Sequence, residues 1–190
     1  MRILTALLLP LLLAGCAWLQ PAGSAPLPGG GWWQPLSPAL LDADFDTLQR
    51  VDGEFGGHRV TWLFSMEKRG EQLALVATTP DGTPLFQLLQ RGSDVSVTPS
   101  PLLPPQVRPE VVLMELQLTL WPAAAVAANL PPALQWQPTA AGFELRRDGV
   151  VEIAVERAEQ QPWQQPVALA QPRWHYRYRV TPLELSPVEK

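Results

Sequence analysis

The sequence predicts a mainly β fold of the α+β kind, with a strongly curved antiparallel sheet or incomplete β-barrel covered by a helical lid. Three observations carry this. Alternating polar and apolar segments recur along the 190 residues, separated by Gly, Pro and Asp turns. One stretch, 109–130, breaks the alternation: it has no Gly, and its prolines sit where helices begin. About nine or ten strands are too many for one flat sheet to bury, and only one apolar helical block is present to cover them.

Taken in order, the chain opens with Arg2, its only charged side chain before Asp42, followed by an apolar run from Ile3 to Leu13. That run is short for a membrane span and has the form of a signal-peptide core, so residues 1–15 are expected to be a signal peptide. Leu13-Ala14-Gly15-Cys16 resembles the bacterial lipobox. The resemblance implies diacylglycerol on the Cys16 thiol, cleavage before it, and an N-acyl group such as palmitate on the new terminus. Two or three chains anchor stably where one does not. Ala17 in place of an inner-membrane retention Asp implies the periplasmic face of the outer membrane. Losing Arg2 with residues 1–15 takes the side-chain charge from −4 to −5. Cys16 is the only cysteine, so its lipidation also accounts for the absence of a disulfide partner.

Residues 16–38 hold repeated Pro and Gly, including Gly29-Gly30-Gly31, and read as a tether to a single domain over 39–190. Trp32 and Trp33 interrupt it, and are expected to dock on the domain edge. Strands are then predicted over 44–52, 57–68, 73–79, 85–91 and 94–98. In the second, Val60, Trp62, Phe64 and Met66 share a face. Pro80-Asp81-Gly82 marks a turn between the third and fourth. A proline-rich crossing leads to two helices, 109–121 and 122–129, with Pro109 and Pro122 at their first positions and Glu110 suiting the positive end of the first. Their nearly all-round apolarity predicts burial against the sheet. Strands resume over 133–137, 142–147, 150–157, 167–171 and 174–185, with Asp148-Gly149 a hairpin signal.

Composition narrows the function. Net charge −4, without a block of five like charges, gives no electrostatic case for nucleic acid. His58 and His175 lie far apart, and no cysteine but Cys16 exists, so no metal site is expected. Nucleophile elbow, phosphate loop and dinucleotide fingerprint are missing, and the protein is expected not to be an enzyme. Ser65 and Lys68 stand mid-strand rather than at a helix start, so they are no Ser-x-x-Lys nucleophile. Asp42, Asp44 and Asp46, and Glu67 with Glu71, read as strand-edge and turn residues. The row Arg173, His175, Arg177, Arg179 reads as a solvated outer face, with anionic head groups or an acidic partner as its functional alternative.

Thr83-Pro84-Leu85-Phe86-Gln87-Leu88, the crossing Leu103 to Glu110, and Leu116-Gln117-Leu118-Thr119-Leu120-Trp121-Pro122 with Asn129-Leu130-Pro131 resemble a bacterial outer-membrane lipoprotein family of unknown function, itself similar to the lipoprotein carriers LolA and LolB. The resemblance implies an open barrel with a helical lid and a hollow that receives acyl chains. It has Val60, Trp62, Phe64, Leu73, Leu75, Phe86 and Leu88 from the sheet, and Leu113, Leu116, Leu120 and Trp121 from the lid, lining the hollow. LolB carries a membrane-inserting leucine in a hairpin where this chain has Asp81, so lipoprotein delivery is not carried over. The expected function is a lipid-anchored periplasmic protein that binds an apolar ligand: a lipid, a lipoprotein acyl chain or a lipid-linked pigment. The alternative is a non-catalytic partner protein of an envelope complex with a filled core. No cofactor is expected beyond the acyl groups on Cys16.

Overall fold

The computed structural model describes residues 23–55, 57–158 and 162–187. Residues 1–15, expected to be a signal peptide, and Cys16 lie outside the described residues. Ten strands form one antiparallel sheet: β3 (Phe45–Phe55), β4 (His58–Arg69), β5 (Gln72–Thr78), β6 (Pro84–Arg91), β7 (Asp94–Pro99), β8 (Gln135–Thr139), β9 (Gly142–Arg147), β10 (Val150–Glu156), β11 (Val167–Gln171) and β12 (Tyr176–Pro187). Their order is β7-β6-β5-β4-β3-β12-β11-β10-β9-β8. Two meanders are thus joined where the last strand pairs with the first of the ten. The sheet does not close into a barrel, and Pro99 and Pro138 lie on its two edge strands, where a missing ladder donor costs least.

The helices are α1 (Pro109–Leu120) and α2 (Ala123–Ala128). Pro109 is the first residue of α1 as the sequence predicts, while Pro122 sits one position before α2 as its cap. Every residue of α1 from Leu113 to Leu120 is buried. The reason is the curl of the sheet. Gln117 bonds to Gln90 on β6, and Glu115 bonds to Gln171 on β11. These strands stand five places apart in the sheet, which in a flat sheet is ~24 Å at the usual strand spacing. A helix with its side chains is only ~10–12 Å across. Strands so far apart reach one helix only if the sheet wraps it.

From residue 23 onward, the stretch read as a tether contributes to the fold. Strands β1 (Ala25–Pro26) and β2 (Trp32–Trp33) form a small hairpin, and Trp33 is buried while Trp32 remains exposed. Trp33 Nε1 donates to Gln117 Oε1 at 2.8 Å. Gln117 also accepts from Leu36 N and donates to Leu36 O and Gln90 Oε1, all within 3.1 Å. Gln90 Nε2 in turn donates to the carbonyls of Leu36 and Gly92. Each polar group in this buried set finds a partner, which is the condition for polar groups to be tolerated in a core.

Strand alternation holds through most of the sheet. Trp62, Phe64 and Met66 face inward from β4, and Phe45, Thr47, Gln49 and Val51 from β3. Lys68 continues the inward row, 2 % exposed, because its Nζ donates to Leu41 O at 2.6 Å and pairs with Asp44 at 2.9 Å. Ser65, three residues away, faces out, so the two cannot form a nucleophile pair. Asp46 pairs with Arg69, so with Asp44 two of the three predicted edge aspartates are held in ion pairs. Arg157 closes the other end of α1, its guanidinium donating to the carbonyls of Leu118, Thr119 and Trp121. Those groups have no partner within the helix.

Candidate functional site: a cavity beside α1

Between α1 and the inner faces of β3, β4 and β12 lies a cavity of about 380 Å³, within the range of small-ligand pockets. Its apolar wall comes from Val51, Trp62 and Phe64 on β3 and β4, Val111, Val112 and Leu116 on α1, and Val180 on β12. Phe55 stacks on Trp62 at 5.8 Å and meets Tyr176 at 5.1 Å, giving a continuous aromatic surface. The exposed Gln106 and Arg108, in the loop entering α1, stand at the rim with Trp174. The cavity follows α1 from Arg108 to Thr119, a span of ~16 Å at 1.5 Å per residue.

The polar groups lie inside. Glu115, 4 % exposed, accepts from Tyr176 Oη and Gln171 Nε2, and also from Tyr178. Burial pushes its carboxyl up to about 7, and the hydrogen bonds from Tyr176, Gln171 and Tyr178 only partly oppose this. The same burial, reinforced by the neighbouring carboxylate, drives both tyrosine hydroxyls well above their ordinary range. They act as donors at any physiological pH. Gln49 also faces the cavity, 2 % exposed. Thr119 donates to Leu116 O, one turn back on its own helix.

Of the residues expected to line a hollow, Trp62, Phe64 and Leu116 border this cavity. Leu73, Leu75, Phe86, Leu88 and Leu113 instead lie in the packed core, each at most 2 % exposed. Leu120 and Trp121 border a separate hollow near the end of α1, with Trp136, Phe143, Arg157 and Trp163. Val60, half-buried, borders a hollow that includes the outward Arg50, Asp52, Arg177 and Arg179. The interior is therefore filled beneath β5 and β6 and open beneath β3, β4 and β12. Leucines of β5 and β6 belong to the same packed core cluster as Leu113 and Leu118, while rings of β4 and β12 and valines of α1 border the open space.

Sequence reasoning passed over Glu115, Gln49, Tyr176 and Tyr178 as cavity residues. Glu115 carried a readable signal, being the one acid in the buried middle of a mainly apolar helix. The basic row is largely paired: Arg173 forms a two-pronged bond to the buried Glu152 at 2.6 and 2.7 Å, and Arg177 pairs with Glu54 at 2.9 Å. Among the described residues no three His, Cys, Asp or Glu side chains gather as metal ligands, and no helix is long and apolar enough to cross a membrane.

A search of curated proteins returns no match to the chain. A family model described as a protein of unknown function (DUF3261) matches residues 46–184, from the second residue of β3 into β12, which takes in all of the cavity's strands and α1. The chain belongs to that family, DUF3261.

Proposed function

We propose that this protein is a non-enzymatic lipoprotein, anchored through Cys16 at the periplasmic face of the outer membrane, that binds an apolar ligand beside α1. The ligand class is a lipid, a lipoprotein acyl chain or a lipid-linked pigment. The observation that carries this reading is the cavity of about 380 Å³ with its mainly aliphatic and aromatic wall. An apolar chain gains about 0.8 kcal/mol for each CH₂ it buries, so such a wall binds without any elaborate set of polar contacts. An open sheet wrapped round a helix also suits kinship with the LolA and LolB carriers. On this reading the β5–β6 turn is not a delivery device. Its tip is Pro80-Asp81-Gly82, and the Asp81 carboxylate is held below its usual range by hydrogen bonds from Thr79 and Thr83. A charge so stabilised resists entry into a bilayer.

The test is native mass spectrometry of the full mature protein extracted from membranes, with displacement of the fluorescent probe N-phenyl-1-naphthylamine. Co-purifying lipid and probe uptake are expected for the wild type. Both should fall sharply in Val112→Trp, where an indole occupies the cavity. A wild-type protein that carries no lipid and takes up no probe, but retains a reproducible protein partner, would establish the envelope-scaffold alternative.

A further inference from the structure

The cavity's buried carboxyl has room for a further donor. A carboxylate has about four acceptor positions, and Glu115 receives only Tyr176, Tyr178 and Gln171. Gln49, on strand β3, also borders the cavity and is buried. No Lys or Arg is among the groups acting on the Glu115 carboxyl; those facing it are Tyr176 and Tyr178 from β12 and Gln171 from β11. A plain alkyl chain would cover the Glu115 carboxyl and leave its remaining acceptor position unsatisfied, at a cost that a chain carrying its own donor avoids. Glu115 is also deep. It stands seven residues along α1 from Arg108 at the rim, or ~10 Å at the helical rise.

We infer that the cavity selects a single-chain amphiphile bearing a hydrogen-bond donor, a hydroxyl or an amine, within its apolar length, and that this donor seats on Glu115. The inference rests on the apolar-ligand reading and sharpens it to a ligand class. The exposed Arg108 at the mouth suits an anionic head group, and Gln49 a second polar point on the chain.

The experiment uses the full chain as the soluble Cys16→Ser variant. Displacement of N-phenyl-1-naphthylamine is measured with 12-hydroxystearate, 12-aminostearate and stearate, for this protein and for Glu115→Leu. A good hydrogen bond to a carboxyl implies that at least one donor-bearing chain binds about tenfold or more tighter than stearate. Whichever of the two prevails identifies the donor. In Glu115→Leu the preference should collapse while stearate binds as well or better. Should Glu115→Leu fail to fold, Gln49→Leu serves in its place, with a smaller loss of preference expected. Equal affinity for all three chains in the parent protein, or a preference unchanged in a folded Glu115→Leu, overturns the inference and leaves the apolar-ligand reading standing. Displacement by none of the three, with no probe uptake at all, defeats that reading and the inference with it.

Discussion

Glu115 shows how burial turns an ordinary side chain into a chemically specific one. Its carboxyl, raised from an ordinary 4.5 to about 7, binds a proton more tightly in the folded protein than in the unfolded chain. For a raised acid the linkage runs against the usual carboxylate case. Between about pH 4.5 and 7 the native state holds more protons than the unfolded state, so this group's contribution falls as pH rises through that window. Glu115→Gln removes the titration. Urea midpoints at about pH 5 and about pH 8 should show the variant gaining up to ~3 kcal/mol relative to wild type at the higher pH. A wild-type-minus-variant difference that stays constant with pH would mean that Glu115 is ionised and well compensated throughout. Glu152 behaves in the opposite sense, its pKa held down by the Arg173 fork.

Among the elements, the β9–β10 hairpin depends on two backbone demands that the sequence displays differently. Asp148 and Gly149 both take positive φ, 50° and 79°, as the Asp-Gly turn predicts. Gly142, at the start of β9, is required for another reason. A Cβ there would sit 2.2 Å from the carbonyl oxygen of Val155 on the paired strand. Gly142→Ala must therefore push β9 off β10, and a loss of ~3 kcal/mol in urea unfolding is expected. A loss below 1 kcal/mol, on the scale of an ordinary surface change, would show that the strands relax freely. The helical element was legible almost to the residue, because proline at a first turn and an unbroken apolar run are local signals. The ten sheet strands were legible to within about three residues at their ends, since alternation and turn chemistry are written in neighbouring residues. The β1–β2 hairpin was not. Gly29, Gly30 and Gly31 look like a tether, and only the partner network around Gln117, some eighty positions away in the chain, holds Trp33 in the core.

For the whole molecule, anchoring and cavity are separable predictions. With Cys16→Ser the protein is expected in the soluble periplasmic fraction, with an unchanged melting temperature, because the described fold is built from residue 23 onward. Membrane fractionation identical to wild type would refute the lipid anchor. The candidate site was only partly legible from sequence. Trp62, Phe64 and Leu116 were named because they are apolar and in phase, yet Leu73, Leu75, Phe86, Leu88 and Leu113 are just as apolar and in phase and are packed solid. Periodicity identifies which side chains point inward. It does not say whether the opposing surface reaches them.

Local rules were sufficient for the strands, their turns, the two helices and the mainly β class, because each depends on residues within a turn or two of one another. The lipobox resemblance is likewise carried by four adjacent residues, Leu13 to Cys16. The wrapped geometry needed the three-dimensional fold: it depends on β12 returning to pair with β3 along Tyr176 to Pro187, a contact across more than a hundred residues. The same pairing brings Tyr176 and Tyr178 to Glu115. Long-range pairing carries no local signature, so Glu115 could be noticed as an acid in the helix, but neither the cavity nor the place of that carboxyl in it could be located before the chain was folded.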